Sequence, residues 1–182
     1  MPTIFSHAVF AGLAGKAFFT RPVSVWFWLL TALCAMVPDA DVVGFSFGVP
    51  YGSMFGHRGV THSIVFALAF GGLVAAINGK FLPTGLSYPR LFVFFALATL
   101  SHPLLDMLTD GGAGVALFAP FSSERFFFPW RPIEVSPIGF GFFSQRGFAV
   151  IFSELLWVWL PALLVLLASM IFRKLFTEKN SK

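Results

Sequence analysis

From Phe148 to Phe172 the chain runs for 25 residues with one charged side chain, Glu154, and no glycine. A helix needs about 20 apolar residues to cross a hydrocarbon core of about 30 Å, so a segment of this kind commits the chain to a membrane. Four more apolar segments precede it: Ile4 to Phe19, Val23 to Val37, Val60 to Gly79 and Leu91 to Leu108. The first two are short for a crossing, and the pattern leaves open whether they span obliquely or lie partly among headgroups. The bulk composition agrees, since 57% of the 182 residues are hydrophobic and 11% are charged, more apolar surface than a soluble domain can hide. The expectation is an all-α, multi-pass integral membrane protein. It forms one membrane-embedded domain over residues 1–182, with about four to five embedded helices and one long irregular loop.

That loop runs from Thr109 to Gly147, and its glycines and prolines, as in "DGGAG" and "FPWRPIEVSPIGFGFF", oppose a continuous helix. Turns, short strands or a re-entrant piece are expected there, forming a lid or a substrate platform. The net charge of +4 comes from twelve Lys and Arg scattered between apolar segments and not gathered into a stripe, so no nucleic-acid partner is expected. Lys16, Arg21, Lys80, Arg90 and the terminal Arg173, Lys174, Lys179 and Lys182 fall on one side if all five segments span. The positive-inside rule makes that side the cytoplasm and turns the long loop the other way. Pro22 is poised to start the second helix. No basic residue precedes Lys16, so the first segment is read as part of the mature protein and not as a secretory signal. The single cysteine, Cys34, reads as a small buried hydrophobe, which leaves no disulfide and no thiolate metal site.

The ionisable residues inside this apolar frame are not scattered. His7 opens the first segment, Asp39 and Asp41 follow the second, and His57 and His62 open the third. His102, Asp106 and Asp110 end the fourth, and Glu154 lies near the start of the fifth. With alternating helix direction all of them meet one face of the membrane, opposite the basic loops. Unpaired, each costs several kcal/mol at such depth, so their collection reads as a site.

His102 and Asp106, four apart, sit about 40° apart around a helix and can serve one metal ion, with Pro103 expected at a kink or in a resumed first turn. In "PDADVV", Asp39 and Asp41 point the same way if the backbone is extended, and otherwise form a solvated acidic turn. In "GHRGVTHS", His57 and Arg58 belong to a loop and Thr61 or His62 to a first helical turn, which lets the two rings converge. Arg58 is available for an anionic substrate, with Arg125 or Arg131 as helpers, or for a lipid phosphate. His7 reads as a ligand or an interfacial histidine. Glu154 reads as a partner orienting an imidazole, a general base or a snorkelling side chain.

Imidazole plus carboxylate without thiolate suits one or two divalent ions, zinc first, with manganese or iron also suited, for hydrolysis of an ester or phosphoester of a membrane-associated or lipid-linked substrate. Two other classes fit the same residues: a metal or proton-coupled transporter, and a non-enzymatic membrane protein with a structural metal.

The ordered set of His7, "PDAD", "HRGVTHS", "SHPLLDMLTDGG" and "LFAPFSSERFFFPW" resembles the LexA-regulated YdjM-like proteins of the bacterial inner membrane, assigned as membrane-bound metal-dependent hydrolases. The likeness covers His7 to about Glu154. It implies an inner-membrane location, a divalent-metal centre at the non-cytoplasmic face, and His7, Asp39, Asp41, His57, His62, His102 and Asp106 as metal-site residues. It also implies a distant analogy to zinc-dependent phospholipase C and P1-type nuclease folds, which by itself carries no function.

Overall fold

The computed structural model describes residues 1–19, 23–81, 84–137 and 142–180, the last five of these by their backbone alone. Arg21, Pro22 and Lys182 lie outside the described residues, as does the side chain of Lys179. Among the described residues the regular structure is helical throughout. Helix α1 is Ile4–Phe18, α2 is Val25–Met36, α3 is Ile64–Phe81 and α4 is Tyr88–Asp106. α5, Gln145–Glu154, passes through a π-helical turn, Leu155–Trp159, into α6, Leu160–Asn180. The all-α, multi-pass reading stands.

The second apolar segment is longer than its hydropathy suggests. At Pro38 the chain tightens into a 3₁₀ helix, Val37–Phe47, so that Val25–Phe47 forms one 23-residue apolar helix long enough to cross a membrane. Ile64–Phe81 and Gln145–Leu175 are the other two such helices. α1 stays short: its 15 residues reach about 22 Å. The last helix buries little against the rest, with 11% of its most apolar window covered, as expected of a rod facing lipid.

α3 and α4 pack along each other closely because Gly71 has no side chain; a Cβ there would lie 2.4 Å from the Ala96 nitrogen. α2 lies against α4, and α1 against α2, α4 and α6. In the half of the bundle holding Lys16, Lys80 and Arg90, the interior is aromatic. Phe27 and Phe95 are fully buried, with Phe27 stacked on Phe94 at 5.0 Å between centroids. Cys34 is buried in the same cluster, as the sequence implies. Thr31 and Thr99 hand their hydroxyl protons back to the carbonyls of Phe27 and Phe95 four residues earlier, so neither polar group is left open.

The loop after α4 holds no strand among its described residues, only two isolated bridges, Thr109 with Ile133 and Val115 with Phe126. It is tied down rather than free to swing. Arg125 spreads its guanidinium over the carbonyls of His57 (3.2 Å), Gly114 (3.2 Å) and Ser53 (3.1 Å). The amide of Ala116 donates to Arg58 O at 2.9 Å, and that of Ile64 to Leu117 O at 3.0 Å. The 138–141 stretch of the loop lies outside the described residues.

At the other end of the long rod, Glu154 and Trp159 both meet α1. Glu154 accepts from the amide of Thr3, and its other oxygen accepts from the hydroxyls of Thr3 and Ser6, each at 2.6 Å. The Trp159 indole donates to Ser6 Oγ at 2.7 Å. Residues five apart point about 140° apart on an α-helix, but a π turn closes i→i+5 and stacks them.

Candidate metal centre

The helix ends bring the polar residues to one place by different local means. α1 is started by Thr3, whose side chain accepts from the Ser6 amide, and its first turn carries His7 inward, fully buried. His102 and Asp106 share one face of α4, also fully buried. Pro103 sits inside this helix, which continues to Asp106 without the break expected there. His62 closes a 3₁₀ turn, Val60–His62, just before α3, and is fully buried.

The two aspartates are not in an extended segment, and this corrects the sequence expectation. In the 3₁₀ helix three residues complete a turn, so positions two apart face different ways. Asp39 turns toward His62 and His102, while Asp41 turns toward His57 and Thr61. His62 is thereby held between them, its Nε2 3.5 Å from Asp39 Oδ1 and its Nδ1 3.2 Å from Asp41 Oδ2.

Asp39, His62, His102 and Asp106 offer ligand atoms that all lie within 4.8 Å of one another. The His62 and His102 Nε2 atoms are 3.1 Å apart. Asp39 Oδ1 is 3.2 Å from His102 Nε2, and Asp106 Oδ2 is 3.4 Å from His62 Nε2 and 3.9 Å from His102 Nε2. Four ligands placed about 2.0–2.2 Å from a central ion in a tetrahedron are roughly 3.3–3.6 Å apart, so the set has the dimensions of a site for a small divalent ion.

Proton positions agree. The Ala35 carbonyl can only accept, so His102 donates to it from Nδ1, 2.7 Å away, and turns an Nε2 lone pair to the centre. His62 directs Nδ1 at the Asp41 carboxylate, which leaves its Nε2 toward the same point. Both oxygens of Asp39 and of Asp106 are buried without a hydrogen-bond partner. Buried carboxylates left so are costly unless a cation neutralises them.

A second group, Asp41, His57 and His62, also lies within ligand range, but its carboxylate is already occupied. Asp41 takes His57 Nδ1 at 2.7 Å, the Thr61 hydroxyl at 2.7 Å and the Arg58 amide at 3.2 Å, besides His62. It holds His62 in orientation. His57, edge-on to Tyr51 with centroids 5.2 Å apart, steadies Asp41 in turn.

Arg58 lies elsewhere than a substrate-binding arginine would. It is fully buried and adopts the left-handed backbone at φ 61. Its guanidinium is spent inside the protein: Nε lies 3.2 Å from Asp106 Oδ2, Nη1 donates to Gly111 O at 3.0 Å, and Nη2 donates to Thr109 Oγ1 at 3.0 Å. Gly112, at φ 90, makes room, since a Cβ there would meet Arg58 Nη1 at 2.7 Å. Arg125 serves the loop carbonyls, and Arg131 is exposed over the Phe127 ring at 4.8 Å.

His7 lies just outside the group of four, its Nε2 3.6 Å from Asp106 Oδ1 and its ring stacked on His102 at 3.7 Å between centroids. Neither of its nitrogens has a hydrogen-bond partner. Glu154 caps α1 and so acts on His7 only through the helix that carries it. Asp110 accepts from the Val135 amide at 2.8 Å and stays outside the cluster.

Burial alone would push the His62 imidazole down, but the surrounding Asp106, Asp39 and Asp41 outweigh it and hold it up at about 10. The carboxylates thus demand a positive charge at the centre, and a proton on His62 supplies it when nothing else does.

Sequence reasoning passed over Thr109, the Ala35 carbonyl and most of what Thr61 does. The two threonines stand next to charged or histidine neighbours in "VTHS" and "LTDGG", which was the available signal. A main-chain carbonyl leaves none.

A cavity of about 300 Å³ opens beside the centre, with Asp39 in its wall among Ile4, Phe5, Val42, Phe142 and Phe143. The fold and this site together define a multi-pass membrane protein with a buried histidine and carboxylate centre able to hold a metal ion.

Residues 1–177 match the family model described as YdjM inner membrane protein, and the chain belongs to that family. It is 42% identical over 167 residues to the inner membrane protein YbcI of Escherichia coli (strain K12), covering 91% of this chain and 95% of that protein. No solved structure matches. The inner membrane is therefore the location of this protein.

Proposed function

We propose that the protein is a metal-dependent hydrolase of the inner membrane, acting on a phosphoester or other ester of a membrane-associated substrate. The observation that carries this reading is the convergence of unpartnered, buried ligand atoms from Asp39, His62, His102 and Asp106 on one point beside a cavity. A purely structural ion would be closed in by protein, whereas here one ligand faces open space.

The donor set of two imidazoles and two carboxylates suits zinc best, with manganese or iron as substitutes. The dimensions and the occupied Asp41 favour one ion over two. When bound, such an ion supplies Lewis acidity and lowers the pKa of water. The chain supplies the rest. Asp41 and the Ala35 carbonyl keep His62 and His102 aimed, and Arg58 keeps Asp106 ionised and fixed.

His7 Nε2 takes one proton from the attacking water. The water oxygen forms a bond to phosphorus as the bond to the leaving oxygen breaks, and the proton passes from His7 to that oxygen. The alternating helix direction and the basic residues at the opposite helix ends favour the non-cytoplasmic face for this chemistry.

The test is elemental mass spectrometry on detergent-purified wild type, His62→Ala and Asp106→Ala, paired with hydrolysis of bis(p-nitrophenyl) phosphate. Stoichiometric metal and hydrolysis in the wild type, both lost in the two variants, support the reading. A wild type that takes up no zinc, manganese or iron on reconstitution sinks it.

A further inference from the structure

We propose that the cavity walled by Asp39 holds the headgroup-proximal part of one acyl chain of a membrane glycerophospholipid, which reaches the centre sideways from the bilayer. The inference depends on the hydrolase reading for what then happens to the lipid, and on the cavity alone for its binding.

The walls are the first argument. Apart from Asp39, Thr3 and Ser136, the cavity is lined by apolar side chains. The Thr3 hydroxyl is already committed to Glu154. Nothing there would recognise a sugar, a nucleotide or a free phosphate. The nearby cations offer no alternative, since Arg58 is spent on Asp106, Thr109 and Gly111, and Arg125 on main-chain carbonyls. An apolar chain is what these walls can hold, and the ligand's charge is left to the metal centre.

The route is the second argument. A neighbouring cavity of about 280 Å³ shares Thr3, Phe5 and Phe142 with the first and continues along Ile151, Leu155 and Trp159. Those three residues lie on the long rod that faces lipid, and Ile151 and Leu155 are 41% and 44% exposed. Phe5 and Phe143, on the rim, are more exposed still. The two spaces make one apolar passage from the lipid-facing side of α5 to Asp39, with no polar barrier along the described residues.

Size and supply choose the occupant. About 300 Å³ is at the small end of ligand sites, enough for part of one chain and too little for a whole diacyl lipid. The surrounding bilayer presents phospholipid acyl chains directly at the rim, with no need for release into water.

The experiment uses the full chain, loaded with zinc, in nanodiscs containing phosphatidylglycerol with a photoactivatable diazirine in one acyl chain. Adducts are mapped by peptide mass spectrometry after illumination. The expected result is several-fold more adduct on Phe5, Val42, Phe142 or Phe143 than on lipid-facing positions of α6 such as Leu164. Val42→Trp, which fills the cavity, should lose those adducts with its metal content unchanged. Phe143→Glu, at an exposed rim position that asks for no repacking, should lose them too.

Adducts confined to the outer faces of α3 and α6, or a pattern indifferent to both substitutions, overturn the proposal. Hydrolysis separates the two readings. Adducts in the cavity of a protein that cleaves neither phosphatidylglycerol nor bis(p-nitrophenyl) phosphate keep the lipid site and remove the hydrolase. A Val42→Trp protein that cleaves phosphatidylglycerol at the wild-type rate removes the lipid site and keeps the hydrolase.

Discussion

Two buried regions share this bundle and are held together in opposite ways. Around Phe27, Phe94 and Phe95 the interior is close-packed and apolar, and its threonine hydroxyls are answered within their own helices. Around Asp39, His62, His102 and Asp106 the interior is just as dry, but its oxygens lack hydrogen-bond partners and its balance is electrostatic. In a bilayer no water-driven effect pulls helices together, so packing must hold the first region. The second needs a cation to hold it. One end of the molecule is complete as folded, and the other is built to be completed.

The largest expected effect tests the electrostatic end. Asp106→Ala leaves the Arg58 guanidinium buried without its carboxylate and should cost about 3–5 kcal/mol of stability, read by chemical unfolding in detergent. A loss below about 1 kcal/mol would mean that Arg58 finds another partner. Phe95→Ala strikes the packed end and should cost about 3 kcal/mol, the low end for a buried phenylalanine, because a bilayer protein forfeits packing more than transfer from water. Metal content should survive it unchanged. Joint loss would show that the two regions are one cooperative unit.

Asp41→Asn sharpens the line between ligand and support. It keeps the shape of the carboxylate that orients His62 and should weaken metal affinity by about 10–100-fold without abolishing it, as measured by competition with a chelator. Complete loss would make Asp41 a ligand.

The smallest effect is in the pH dependence of the metal-free protein. The raised pKa of His62 means that its stabilisation is complete below about 6.5 and fades as pH rises through about 10. Chelator-treated protein should therefore lose melting temperature between those limits. The metal-loaded protein should lose less, because the ion replaces the proton.

Much of this contrast is legible in the sequence, since a long apolar chain with its histidines and aspartates at alternate helix ends announces a bundle with one polar face. The geometry around Asp39 and Asp41 was not legible, because a helix continuing past Pro38 in 3₁₀ form has the same hydropathy as a turn. Arg58 misleads for another reason. A charge beside two histidines suggests an anion site, and its burial depends on Thr109, Gly111 and Gly112, which come from a loop more than fifty positions away. Glu154 depends likewise on α1, at the other end of the chain. Ion-pair partners are a property of topology, and composition and spacing report only that a partner must exist.

The π turn at Leu155–Trp159 carries a further implication for how this chain tolerates changes in length. It holds one residue more than a plain α-helix would place there. Deleting a residue from it would let α5 and α6 fuse as a regular helix and rotate everything beyond by about 100°. α6 meets lipid around most of its circumference, so the membrane would accept the rotated face. Trp159 would swing away from Ser6, and α1 would lose one of the two grips that position His7. A length change harmless to the span would thus be felt at the opposite side of the centre, and the extra residue works as a setting for the angle at which the first helix is held.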